Sequence, residues 1–406
     1  MSDMPHPVLD WMYAQQHVMV QVLADLVAVD TGPGCADGIM AAGNILLELL
    51  KPVGVKVTEF PSDKGRNLLV EGGKGTGLPV LILGHLDTVF PRGTTVARPF
   101  RIEGDRACGP GVCDMKGGLV TAVFALRYLA LEEGDLPPVI AVFNADEETG
   151  SRTSRSLIEQ VARRSAAAFV MEPARPDGSV VVRRKGVAWY RVVVRGRAAH
   201  AGSEPDKGSS AVEELAHKIL QFSGLNDPSV GLTVNVGRVL GGTAANVVAE
   251  HAEADVDLRF WRESDLARAA ATMRELCSKP TIPGTGCQLE EVVSRPPLEV
   301  TPESAVLHSV VQDAARDLGF AVEGAATGAY SDGNIAASVG IPVVDGMGPV
   351  GGGTHSDHEY VELGTLPQRA ALLALSIRRA AQQLARGGGG DQGGWSTGLP
   401  LSPACW

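Results

Sequence analysis

The 406-residue sequence has no run of lysines and arginines, and its formal net charge is -11. That balance disfavours a nucleic acid or an anionic membrane surface as the main partner, so any bound anion must be held by a few local arginines. No stretch is long and apolar enough to span a bilayer. Residues 1–9 carry Asp3 and two prolines where a secretory signal needs a basic start and an apolar run. The six cysteines, Cys35, Cys108, Cys113, Cys277, Cys287 and Cys405, include no CxxC pair. This argues against a thiolate zinc site and a disulfide framework, and the expected setting is the cytoplasm with reduced thiols. A metal, if bound, must then use histidines and carboxylates. GxxxxGK[ST] is absent, as is a GxGxxG after a strand, so the glycine-rich segment 109–118 is not read as a phosphate cradle.

What is present is enough apolar sequence for two cores, since 406 residues exceed what one hydrophobic core usually supports. Apolar spacing predicts helices over 17–29, 39–50 and 119–131, and short apolar runs predict buried strands at 67–70, 78–83 and 139–143. Strands alternating with helices indicate an α/β layer fold with a mostly parallel central sheet. From residue 186 the pattern becomes strand 187–194, helix 209–222, strands 232–240 and 252–260, a helix around 266–276, and strand 288–293. That order is a split βαβ, ferredoxin-like α+β unit. Helix 304–318, an apolar run at 341–344 and helix 366–386 then resume the first pattern. The expected division is a catalytic domain of residues 1–182 and 296–386, an inserted domain of 183–295, and a disordered tail of 387–406.

Chemistry-bearing residues gather where apolar runs end. His85 follows the run 78–83, at a strand end of the kind where α/β sheets place ligands. In extended backbone Asp87 would lie on the same side as His85 and accept its second ring proton. Glu147 and Glu148 follow the run 139–143; in extended backbone they point opposite ways, one toward a metal and the other free to move a proton. Glu172 ends the run 166–171, and the glycines of 109–118 permit a backbone that aims Asp114 inward. Cys113, beside it, reads as a small buried thiol rather than a nucleophile. At the far end, three glycines precede Thr354-His355-Ser356-Asp357-His358, and the residues alone do not choose between the two histidines.

The blocks GHLDTV, GPGVCDMKGG, NADEETGS, MEPA, RAAHAG and GGGTHSDHEYV occur in one order along residues 18–386. Together they resemble the dinuclear zinc family of glutamate carboxypeptidases, aminoacylases and succinyl-diaminopimelate desuccinylases. The resemblance implies that His85, Glu148, Glu172 and His355 are terminal ligands of two zinc ions, with cobalt or manganese as substitutes, and that Asp114 bridges them. It makes Glu147 the general base, Asp87 the orienter of His85, and the inserted domain a lid and dimerisation domain. Two zinc ions against Asp114, Glu148 and Glu172 leave one positive charge, which a bridging hydroxide neutralises.

By the same resemblance His200 contacts the scissile carbonyl from the partner subunit of a homodimer, and Asn246 with Arg259 holds a substrate carboxylate. Arg295 is a further candidate for that task, which suits the bidentate fork of arginine. Ser331-Asp332-Gly333-Asn334 resembles the glutamate carboxypeptidase branch, which implies cleavage of an N-acyl or peptidyl amino acid with a free carboxylate. The alternatives are a desuccinylase or aminoacylase and, from another class, a catalytically inactive metal-binding protein.

Overall fold

The computed structural model describes residues 6–75, 77–132, 134 and 136–387. Two compact units result: one from the chain up to Arg183 together with Val300–Ala326 and Ser331 onward, the other from Arg184–Glu299 with Thr327–Tyr330. Most of the segment expected to be a disordered tail lies outside the described residues.

The first unit holds strands β1 (Lys56–Ser62), β2 (Gly65–Gly72), β3 (Val80–His85), β4 (Arg101–Glu103), β5 (Arg106–Cys108), β6 (Val139–Asn144) and β7 (Ala167–Val170). The second holds β8 (Gly186–Arg195), β9 (Thr233–Gly241), β10 (His251–Phe260) and β11 (Gly286–Arg295). The chain returns to the first unit with β12 (Val343–Val344), β13 (Gly351–Gly352) and β14 (Tyr360–Glu362).

The central sheet runs β1-β2-β6-β3-β7-β12. From β6 to β12 all neighbours are parallel, with Val80 opposite both Val139 and Ala167. These middle strands are buried along their whole length, which is why they read as continuous apolar runs rather than alternating ones. Helix Gly117–Arg127 is buried on every side from Gly117 to Leu126, packed against helices Ala36–Leu50 and Thr365–Gly387. Its start lies close to the end of β7, because a Cβ on Gly118 would come within 1.9 Å of the Met171 carbonyl oxygen. A small second sheet, β13-β14-β5-β4, joins chain segments some 250 residues apart in sequence, with Tyr360 opposite Cys108.

The second unit is a four-stranded antiparallel sheet in the order β9-β10-β8-β11. Alternate residues of β8 and β10, among them Tyr190, Val192, Val256 and Phe260, form its core with Leu215, Phe222 and Met273 from helices Ala211–Ser223 and Glu263–Ser278. Two helices on one face of such a sheet is the ferredoxin-like arrangement. Buried inside it is an ion pair, Lys218 Nζ to Glu214 Oε1 at 2.9 Å, with the second Glu214 oxygen accepting the amides of Thr281 and Ile282.

Candidate metal centre

Because β3, β6 and β7 are parallel, their carboxyl ends open on the same edge of the sheet, where side chains from successive strands can converge. His85 is the last residue of β3 and lies opposite Asn144, the last of β6. Glu147 and Glu148 follow β6, and Glu172 follows β7. The strand ends thus supply His85, Glu147, Glu148 and Glu172, and loops of the small second sheet supply Asp114 and His355. The Asp114 loop leaves β5, and the His355 loop connects β13 to β14, so the pairing of β5 with β14 brings these loops together.

At the centre lies Asp114. Its Oδ1 is 3.2 Å from His85 Nε2, which is itself 3.6 Å from Glu172 Oε1. Its Oδ2 is 3.3 Å from His355 Nε2, which is 3.2 Å from Glu148 Oε1. One carboxylate thus faces two imidazole–carboxylate pairs, one through each oxygen. His358, the other candidate histidine, is exposed, with its amide bonded to Ser356 Oγ.

Two local expectations need correction. Glu147 and Glu148 are not extended but sit in a turn, and both amides donate to the Asp87 carboxylate, at 3.1 and 3.0 Å. The nearest oxygen to His85 Nδ1 is the backbone carbonyl of Asp87 at 2.9 Å, with the Asp87 carboxylate at 3.4 Å. Asp87 therefore touches both the ring of His85 and the backbone of the two glutamates. Cys113 is buried and desolvation pushes its thiol well above the ordinary range, as expected of an inert side chain.

The electrostatics ask for positive charge. Burial and then the neighbouring Asp332 raise the Glu147 carboxyl well above its ordinary value, and burial also raises Glu148. Burial would depress His85, yet contacts with Asp114, Asp87 and Glu172 raise it well above normal. Asp114 and Glu148 push His355 up to about 10. Glu148 Oε1 is buried and, among the described residues, accepts no well-aligned hydrogen bond, with His355 Nε2 3.2 Å away. Cations among these groups would relieve the carboxylates and leave the imidazoles neutral as donors. The donor set fits: atoms of His85, Asp114 and Glu148 lie within 4.8 Å of one another, as do those of His85, Glu147 and Glu172. Nitrogen and carboxylate oxygen donors of this kind suit zinc, cobalt or manganese.

Three contributors near the site carry no role in the sequence reading. Asp332 is buried, accepts from Asn144 Nδ2 and Ser151 Oγ at 2.7 and 2.5 Å, and is raised to about 6, chiefly by burial. Asn144 also donates to Ser154 Oγ, tying the turn after β6 to Asp332. Glu359 accepts backbone amides of the Asp114 loop. Within quoted motifs these acids resemble any solvated acid; only tertiary burial distinguishes them.

The remaining expected residues belong to the second unit. His200 is exposed, and its Nδ1 accepts the amides of Gly202 and Ser203 at 3.1 and 3.2 Å. In a neutral imidazole these two bonds to Nδ1 put the ring proton on Nε2, which is left to donate. The Asn246 carbonyl accepts the Ala201 amide, so His200 and Asn246 sit on adjoining segments. Arg259 and Arg295 both lie in register with Val187, one on each side of β8. Arg259 is held by Asp257 at 2.9 Å. The Arg295 guanidinium stacks over the Tyr330 ring at 4.4 Å and, among the described residues, pairs with no carboxylate.

Residues 81–379 match the model of peptidase family M20/M25/M40. Carboxypeptidase G2 of Pseudomonas sp. (strain RS-16) is 32% identical over 378 residues, 89% of each chain. Acetylornithine deacetylase of Proteus mirabilis is 31% identical over 53% of this chain and 59% of its own. The fold is shared with the Bacillus subtilis YXEP protein, described as a dinuclear metal-binding peptidase, at a TM-score of 0.70 and 16% identity over 91% of this chain and 99% of that one. On the family match and the near full-length relative, the chain belongs to peptidase family M20/M25/M40 and is a metal-dependent hydrolase of the carboxypeptidase or aminoacylase type.

Proposed function

We propose that the protein hydrolyses the amide bond of an N-acyl or peptidyl amino acid with a free carboxylate, in the manner of a glutamate carboxypeptidase. The observation that carries this reading is Asp114 facing His85–Glu172 through one oxygen and His355–Glu148 through the other, with Glu147 beside them. Two divalent cations, zinc by preference, held by His85, Asp114, Glu148, Glu172 and His355 would polarise the scissile carbonyl and acidify an attacking water.

Glu147 then moves the proton. It takes one from water as the water oxygen bonds to the carbonyl carbon, and delivers it to the leaving nitrogen as the carbon–nitrogen bond breaks. Asp87 fixes the backbone of the glutamate turn and orients His85. His200, with its proton on Nε2, is suited to donate to the developing oxyanion, and the family resemblance has it do so in a homodimer. For the substrate carboxylate Arg295 is preferred to Arg259, whose fork Asp257 already fills; Asn246 is the second holder. The described cysteines are free, which supports a cytoplasmic setting, and no helix among the described residues is long and apolar enough to cross a membrane.

The 32% identity to carboxypeptidase G2 along 89% of both chains supports the carboxypeptidase reading, whereas the partial match to acetylornithine deacetylase favours a deacylase. A panel of N-acyl- and peptidyl-glutamates, N-acetylornithine and N-succinyl-diaminopimelate, assayed with metal-loaded enzyme, separates them. Turnover of the glutamate conjugates is expected; turnover confined to the two biosynthetic substrates would replace this reading by the deacylase one.

A further inference from the structure

Glu359 is 1% exposed and immediately precedes β14. Since β14 pairs antiparallel with β5, Tyr360 opposite Cys108, Glu359 falls beside the chain that leaves β5 toward Asp114. Its Oε2 accepts the Gly111 amide, and its Oε1 accepts the amides of both Cys113 and Asp114, each at 2.9 Å. Successive amides converging on one anion make a tight backbone nest. The nest needs the left-handed Gly111, at φ 71°, where a Cβ would come within 2.4 Å of Thr88 Cγ2. The nearby buried cation, Lys116, spends its ammonium on the carbonyls of Val29 and Pro110.

The same glutamate is anchored to the second loop. His355, at φ 62°, and Glu359 lie in one turn region that begins at Gly353, φ 66°, where a Cβ would meet the His358 carbonyl oxygen at 2.5 Å. The Ser356 amide and hydroxyl both bond the Gly353 carbonyl, closing that turn. One buried carboxylate therefore sets the spacing between the backbone of Asp114 and the loop of His355. Only two side-chain torsions separate the Asp114 amide from its carboxylate, so rotating that peptide would swing one oxygen out of line.

We propose that Glu359 is a positioning residue of the metal centre, holding the Asp114 loop so that both oxygens of Asp114 face their imidazole–carboxylate pairs at once. The inference rests on the ligand roles proposed above for Asp114 and His355. Partners that orient a ligand without touching the metal commonly govern affinity by about tenfold to a hundredfold.

The test is a cobalt(II) titration of chelator-stripped full-length protein, followed by calorimetry and by the visible absorption of bound cobalt, with unfolding of the metal-free protein measured alongside. Glu359→Ala is expected to weaken cobalt binding by about tenfold to a hundredfold and to change the spectrum at saturation. Glu359→Gln keeps an oxygen for the Cys113 and Asp114 amides but turns an NH2 toward the Gly111 donor, so it is expected to fall between. Wild-type affinity and spectrum in both variants would overturn the proposal, and if the alanine variant does not fold, the glutamine variant decides alone. Asp114→Asn is the control. Undiminished cobalt binding there would sink the ligand reading, whereas its loss there with wild-type behaviour of the Glu359 variants would sink this inference only.

Discussion

Glu147 is the residue on which the proposed chemistry turns, and its neighbours explain why it need not be a ligand to be placed. Asp87 holds its amide, and burial raises its carboxyl, the direction that favours taking up a proton. Glu147→Gln is expected to retain its metal, by elemental analysis, while kcat falls about a hundredfold to ten-thousandfold; turnover near wild type would remove Glu147 from the proton path. His200 supplies a second test at this scale. His200→Ala should lower kcat with metal content unchanged, because its single donor points away from its own backbone. An undiminished rate would leave His200 as a turn residue.

At the scale of elements, close approach of backbones positions the proposed ligands. Helix Gly117–Arg127 begins against the end of β7, immediately before Glu172, and Gly118 has no room for a side chain there. Gly118→Ala is expected to cost about 3 kcal/mol in denaturant unfolding, the upper end for overpacking, since the obstacle is backbone and cannot rotate away. In the second unit the Glu214–Lys218 pair is fully buried. Burial acts to raise the Glu214 carboxyl, but the Ile282 amide, Lys218 and the Thr281 amide outweigh it and hold it below its ordinary value. A carboxylate so held stabilises the fold above its unfolded-state pKa, and that contribution disappears as pH falls through the lower, folded-state value. Replacing Glu214 by Ala strands a buried ammonium and should cost about 3–5 kcal/mol. The milder Glu214→Gln should flatten the acid limb of the stability curve; an unchanged limb would exclude Glu214 as its source.

At the scale of the whole molecule the proposed cations act as ligands of the folded state. If they bind only the native protein, chelation should lower the melting temperature and reloading restore it, by about 2.7 kcal/mol when free metal exceeds Kd a hundredfold. A melting curve indifferent to chelator would argue against a metal centre of that affinity. The homodimer proposed from family resemblance is checked by sedimentation at assay concentration, where a monomer with full activity would exclude a catalytic contribution from a partner's His200.

Much of this was legible without coordinates. Buried parallel strands announce themselves as unbroken apolar runs, and their polar ends marked His85, Glu147, Glu148 and Glu172 because such ends are where a sheet can afford charge. Alternation along β10 likewise exposed the half-buried strand of the inserted unit. By contrast, β1 was invisible: Lys56, Glu59 and Pro61 blur its pattern, and its pairing with β2 along one edge is what defines it. Strands β13 and β14 have two and three residues, too short to carry a period.

The sequence by itself determined the layer fold, the inserted unit and which residue types collect at strand ends, since each follows from local periodicity and from the composition of short motifs. Tertiary structure alone decided that Asp114 faces two imidazoles through separate oxygens. It also decided that Asp87 caps the glutamate turn and that Glu359 binds the loop of one candidate ligand to that of another. Those contacts join residues far apart in the chain, and whether an acid is solvated or buried against amides depends on what the rest of the fold packs over it.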